Sequence, residues 1–262
     1  MNRFDWLEIP AWDLKKESPV STAAPLLDAR HYLQSAEQSW RRGNFEGALR
    51  FYARALGQDS GLEEAWLGQV RCLIDLDEIK EARVWVNKAL EKLPHSADLL
   101  SAKALVLSKM FEDEPAMELS DRALSLKQYT WYLWLCRGFI LLKTGDRNAE
   151  YCMVKALEAN PEDWFINLRV GMAYLGISDY HKALLYLRKA IRVETTNPLV
   201  LLKFGFCCEK LGWPAQARLH YQKALETDGE LRDEILKALR SVSHGNLWVW
   251  LKGVFNRQKL EA

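Results

Sequence analysis

The sequence predicts an all-α chain, a solenoid of about six stacked helical hairpins, and two observations carry that expectation. Alanines recur in pairs seven residues apart: Ala48/Ala55, Ala82/Ala89, Ala116/Ala123, Ala149/Ala156, Ala183/Ala190 and Ala217/Ala224. The pairs repeat every 34 residues, with one interval of 33 between Ala116 and Ala149. A fixed period in this range marks helical hairpins stacked in a row. The second observation is the three-to-four spacing of apolar residues inside each unit, the spacing of a single helix face. Such an array works by presenting an extended surface to another molecule.

Composition narrows the function. The chain has 262 residues, 49% apolar and 27% charged, and its 36 basic against 35 acidic residues give a net charge of +1. That balance argues against nucleic acid, whose binders carry a basic excess or stripe. The five cysteines, Cys72, Cys136, Cys152, Cys207 and Cys208, are an odd number without framework spacing, which suits a reduced, cytoplasmic setting. The first residues hold no apolar stretch of the secretory kind, and no run approaches the ~18 apolar residues of a membrane span.

Taken in order, residues 1–28 form an amino-terminal segment and linker. Phe4, Trp6, Leu7, Ile9 and Trp12 cluster around Pro10, and residues 14–25 are polar or small with Pro19 and Pro25. The first part is too apolar for a solvated tail and too short to form a core alone. Phe4, Trp6, Leu7 and Trp12 are therefore expected to dock, on the first hairpin or in a groove of this molecule or a neighbour.

Residues 29–229 hold the repeats. Unit five shows the plan: a first helix over Trp164–Gly176, a turn at Ile177-Ser178-Asp179, and a second helix from Tyr180 bearing Ala183, Leu184, Leu187, Ala190 and Ile191. The paired alanines lie two turns apart on one face of the second helix, where a small side chain lets helix axes approach to the close end of ~8–10 Å. Tyr52, Val86, Leu187 and Tyr221, three residues before the second alanine, fill the space between. The first helix has its own small position at Ala36, Val70, Ala104, Gly138, Gly171 and Gly205. The short interval assigns a lost residue to unit four, in the Thr144–Arg147 turn.

Residues 230–262 read as capping helices, Glu230–Val242 and Asn246–Lys259, a degenerate seventh hairpin that covers the last repeat. The alternative for the second is a membrane-surface helix, because Trp248, Trp250, Phe255, Lys252, Arg257 and Lys259 suit an interface.

The pattern resembles the tetratricopeptide repeat, whose 34-residue unit carries Trp, Gly and Tyr in its first helix, then Ala, an aromatic, Ala and Pro. The matching residues are Trp66, Ala82, Ala89 and Pro94; Trp134, Gly138, Ala149, Ala156 and Pro161; Gly171, Tyr174, Ala183 and Ala190; and Gly205, Ala217, Tyr221 and Ala224. Units one and three are looser, with Ser60 at the proline position and Ser120 at the aromatic one. The resemblance implies a right-handed superhelix whose inner surface comes from the first helix of each unit. Transferred by register, that surface is Leu33, Glu37 and Trp40; Leu67, Arg71 and Ile74; and Ser101, Leu105 and Ser108 in units one to three. Units four to six supply the expected protein-binding groove: Tyr132, Leu135, Phe139, Phe165, Leu168, Met172, Leu202 and Phe206, with Leu142, Leu175 and Glu209 beside them. Leu33 and Glu37 stand where the chaperone-tail-binding members carry Lys and Asn, so that mode is not expected.

No phosphate loop, nucleophile elbow or zinc-binding helix is present, and no catalytic residue, metal site or cofactor is expected. Adjacent Cys207 and Cys208 are poorly spaced for one metal, and a buried thiol is the simpler role. His181 and His220 fall at positions expected to face outward. The leading expectation is a non-catalytic scaffold or adaptor that binds an apolar peptide or an amphipathic helix of a protein. The alternative is a self-assembling subunit, its amino-terminal segment or last helix inserting into a neighbouring copy. An RNA binder of the pentatricopeptide kind is disfavoured, because leucines recur where polar base-readers would stand.

Overall fold

The computed structural model describes Leu7, residues 28–227 and residues 231–242. The chain divides into two compact units, Met1–Asn160 and Pro161–Ala262. The described residues are helical or turn, with no strand among them. The first unit holds four hairpins: α1 (Ala29–Arg42) with α2 (Phe45–Gln58), α3 (Glu63–Asp75) with α4 (Ile79–Lys92), α5 (Ala97–Lys109) with α6 (Asp113–Ser125), and α7 (Trp131–Thr144) with α8 (Asn148–Ala159). The second unit holds α9 (Trp164–Gly176) with α10 (Tyr180–Val193), α11 (Pro198–Lys210) with α12 (Pro214–Thr227), and α13 over residues 232–242.

Local chemistry starts seven of the helices and turns the chain within every hairpin. Side-chain oxygens of Asp28, Asn44, Ser96, Thr130, Asp163, Asp179 and Asn197 accept from backbone N–H groups of the first turn that the helix itself leaves unpaired. Between the two helices of every hairpin one residue turns left-handed: Gly43, Asp77, Phe111, Gly145, Ser178 and Gly212. The next N–H then reaches back five residues, as in Asn44 N to Ser39 O at 2.9 Å and Trp213 N to Cys208 O at 2.9 Å, which closes the helix end. These positions repeat at the period of the alanines. The first alanine stands five residues after the left-handed residue in every unit but the fourth, where Ala149 follows Gly145 by four. The lost residue therefore lies between Gly145 and Ala149. There Asp146 Oδ1 accepts from Asn148 N at 2.7 Å, and α8 is left shorter than α2, at 12 residues against 14.

The alanines do what their size allows. All are inaccessible apart from Ala149, at 2%. A Cβ on Gly171 would stand 3.4 Å from Ala183 O, and one on Gly205 would stand 3.3 Å from Ala217 O. The small position of the first helix thus meets the first alanine of the second helix, and the two axes close on that contact. Ala183→Leu and Ala217→Leu are expected to overpack these junctions and cost ~1–3 kcal/mol. Thermal melts check this, and an unchanged midpoint for both would remove the alanines from the helix contact.

Helix α13 falls where the first capping helix, Glu230–Val242, is expected. Leu231, Ile235 and Val242 are buried, and α13 reaches α11 through Lys203 Nζ to Glu234 Oε1 at 3.2 Å. The expected second capping helix, Asn246–Lys259, lies outside the described residues, as do Phe4, Trp6 and Trp12.

Candidate functional site

The inner-face positions behave differently in the two units. In the first they are closed. Trp40 of α1 and Trp131 of α7 bring their rings to 6.5 Å, so the first and fourth hairpins converge. Arg71 of α3 sits beneath them, its guanidinium 4.0 Å from the Trp40 ring centre and 5.8 Å from that of Tyr132. Its Nη2 donates to Glu37 Oε2 at 3.1 Å, and Tyr52 OH donates to the same oxygen at 2.9 Å. Arg71 Nε makes no hydrogen bond, and Nη2 also donates to Tyr52 OH at 3.4 Å, so aromatic faces, one hydroxyl and one carboxylate hold this cation. Burial pushes the Tyr52 hydroxyl far up, and it stays a neutral donor. Asp98 nearby is also raised by burial, opposed by the hydrogen bond it accepts from Thr130 Oγ1. This is a packed polar core rather than an open surface.

In the second unit the same face is open. Met172 and Leu175 of α9, Leu202 and Phe206 of α11, and Ala238 and Ser241 of α13 line a trough of about 480 Å³. Phe206 is 36% exposed, and Leu202, at 3%, forms the floor. Lys203, Lys210 and Lys237 stand on the rim with Glu209 and Glu234. Lys203 pairs with Glu234, and the Lys210 ammonium lies 5.1 Å from the Phe206 ring centre. Glu209 accepts from Tyr221 OH at 2.9 Å and from Ser241 Oγ at 2.8 Å, which ties α11 to α12 and α13 and fixes the trough wall. Burial and Glu209 together push the Tyr221 hydroxyl far up, so it remains a donor.

Of the eight groove residues expected from register, Met172, Leu202 and Phe206 come together here. Phe139 is half-buried in the first unit, while Tyr132, Leu135, Phe165 and Leu168 are packing residues at 6% exposure or less. Lys203, Lys210, Lys237 and Ser241 were missed. Adding the 34-residue period to Lys203 and Cys207 reaches Lys237 and Ser241, so the repeat itself points to α13 as the inner helix of a seventh unit. The outer surface holds a second opening, where Tyr129 and Tyr151 flank Trp134 at 5.8 and 6.0 Å between ring centres. His220 is not an outward residue: its ring lies 4.6 Å from that of Phe204, and burial lowers its pKa.

The five cysteines are buried, and burial pushes the Cys207 and Cys208 thiols up to about 12 and about 11, so they are poor nucleophiles. Among the described residues no group of three or more His, Cys, Asp or Glu is placed to hold a metal ion, and no helix is long and apolar enough to cross a membrane.

Residues 39–106 and 166–197 match two family models described as tetratricopeptide repeat. Those two segments are tetratricopeptide repeats. It is similar to anaphase-promoting complex subunit 3 of Schizosaccharomyces pombe, 24% identical over 141 residues, which is 53% of this chain and 21% of that protein. The matched part thus spans about one-fifth of that relative. Among solved structures, a tetratricopeptide repeat protein from Parabacteroides merdae shares 16% identity, covering 89% of this chain and 90% of the other at a TM-score of 0.53. The human IFIT1 dimer with PPP-AAAA shares 16% identity, covering 83% and 54% at a TM-score of 0.56. At these identities the likeness to solved structures is one of fold. Tetratricopeptide repeats build protein-interaction scaffolds, and this chain is one in that general sense.

Proposed function

We propose that this tetratricopeptide protein is a non-catalytic scaffold that holds the apolar face of an amphipathic helix from a protein partner in the second-unit trough. The observation that carries the reading is Phe206, exposed beside Met172 and Leu175 over a floor of Leu202. Three rigid helices hold these groups in place, so little ordering entropy opposes binding. Met and Phe offer large contact areas and accept varied shapes. A helix with anchors at three-to-four spacing fits such a row, and acidic residues at its edges would meet Lys210 and Lys237.

The test is selection of helical peptides from a displayed library on the full chain, followed by titration. Met172→Ala with Phe206→Ala is expected to weaken the selected peptides about tenfold or more, as loss of central anchors does. Leu219→Ala, at an exposed site on α12, is expected to leave affinity unchanged. Affinity should fall only weakly with salt, because the contact centre is apolar. Equal binding by the folded double variant would move the site away from the trough.

A further inference from the structure

We propose that the aromatic opening on the outer surface of the first unit binds a proline-rich segment of a protein partner, held in the polyproline II conformation. Two observations carry this. The first is an indole that its repeat leaves without a partner. Trp66 and Trp134 stand at the same place, the fourth residue of α3 and of α7. Trp66 is buried, and its Nε1 donates to Ser60 O at 2.9 Å. Two periods on, Gln128 stands in the place of Ser60, and its carbonyl accepts from Thr130 N at 3.1 Å instead. Trp134 is only half-buried, and among the described residues its Nε1–H has no hydrogen-bond partner. Its ring is nonetheless fixed, because it packs on the small cores around Leu133 and Cys152.

The second observation is the pair of tyrosines beside that indole. Tyr129 and Tyr151 are 56% and 57% exposed, and neither hydroxyl has a hydrogen-bond partner among the described residues. The Tyr129 ring is tilted by 30° from Trp134 and the Tyr151 ring by 90°, so the three make a notch with aromatic walls, about 660 Å³ in volume. The loop that carries Tyr129 is pinned on both sides. Gln128 Oε1 accepts from Ala97 N at 3.2 Å, and Thr130 Oγ1 accepts from Leu133 N at 3.1 Å. A preformed notch loses little ordering entropy on binding.

The chemistry of the notch selects its occupant. The indole N–H can only donate, and both hydroxyls are free to donate. A polyproline II chain offers the complement: it has no internal hydrogen bonds, so its carbonyls are open acceptors, and proline itself has no N–H to satisfy. Its rings pack on exposed aromatic side chains. One turn is three residues in ~9 Å, a length that fits between tyrosines standing 5.8 and 6.0 Å from the same tryptophan. A cationic guest suits the site less well. Lys155 already holds its ammonium 5.6 Å from the Tyr151 ring centre and 2.7 Å from Glu158, so the carboxylate at this opening is neutralised from within.

The test titrates the full chain into a fluorescein-labelled oligoproline peptide of about ten residues, some three polyproline turns, and follows anisotropy. Saturable binding is expected. Tyr129→Ala with Tyr151→Ala should weaken it about tenfold or more, as loss of central aromatic contacts does. Both side chains are exposed, so the helical circular dichroism should be unchanged. Trp134→Phe, which keeps a ring and removes the N–H, should weaken binding as well. Leu185→Ala, at an exposed site on α10, should leave it as it is. A labelled trimethyllysine peptide forms the second arm and is expected to bind more weakly than oligoproline. Tighter binding of the trimethyllysine peptide would make the notch a cation site and overturn the proposal. No saturable binding of oligoproline, or equal binding by the folded tyrosine double variant, would overturn it too.

Discussion

Gly68→Ala and Gly205→Ala are expected to destabilise the protein, by ~1–3 kcal/mol each, while Gly138→Ala is expected to cost little or nothing. All three glycines sit inside helices, where alanine alone would stabilise by ~1 kcal/mol. What the new methyl meets decides the sign. At Gly68 it would lie 2.2–2.5 Å from the ring of Tyr52, and at Gly205 it would lie 2.6–2.7 Å from that of Tyr221. Both rings are fully buried and held by their hydroxyls, on Glu37 and Glu209. A clamped ring has nowhere to go. At Gly138 the nearest atoms are Cε and Sδ of Met153, at 2.9 and 3.1 Å, the far end of a flexible side chain. Urea unfolding of the three variants checks the order. A Gly138 variant as unstable as the other two would mean that the ring clamps do not matter.

Glu37→Gln is expected to cost more than Arg71→Met, ~3 kcal/mol or more, although it changes fewer atoms. The asymmetry follows from exposure. The Arg71 side chain is 8% exposed and the Glu37 side chain 36%. Removing the carboxylate strands a cation among Trp40, Tyr132 and Tyr52, whereas removing the guanidinium leaves a carboxylate that still reaches water and Arg41 at 3.3 Å. The double variant should be close to Arg71→Met alone, because Glu37 then has no buried charge to neutralise. A double-mutant cycle with additive losses would show that the pair is not coupled and that Arg71 is held by the aromatic rings alone.

Much of this fold is local, and that is why it can be read from the chain. Alanine size, left-handed turn positions and N-caps act within a hairpin and repeat with it. The first helix of unit five, expected over Trp164–Gly176, is found there, and the missing residue lies in the expected turn. The state of the inner face is not local. Tyr132 and Leu135 stand at groove positions by register, yet Trp40 and Trp131, far apart in sequence, close the space before Tyr132. Curvature sets that distance, and it sums over several hairpins. His220 was misread for a related reason: its helix face follows from the register, but Phe204 on the adjoining helix turns toward it. The role of α13 was visible only as a cap. A cap that completes the last repeat also supplies the next inner helix, which is how Lys237, Ala238 and Ser241 come to line the trough.

The open trough of the second unit and the closed inner face of the first suggest a division of labour within one array. The first unit carries a buried ionic cluster and is closed, and the second presents apolar side chains from rigid helices. The measurement that tests this most directly is site-resolved photo-crosslinking in the cells that make the protein. A crosslinking amino acid at position 206 should trap a protein partner through an amphipathic helix, and one at position 219 on the outer side of α12 should not. Trapping at 219 with none at 206 would contradict the account and place the interaction surface on the outer helices.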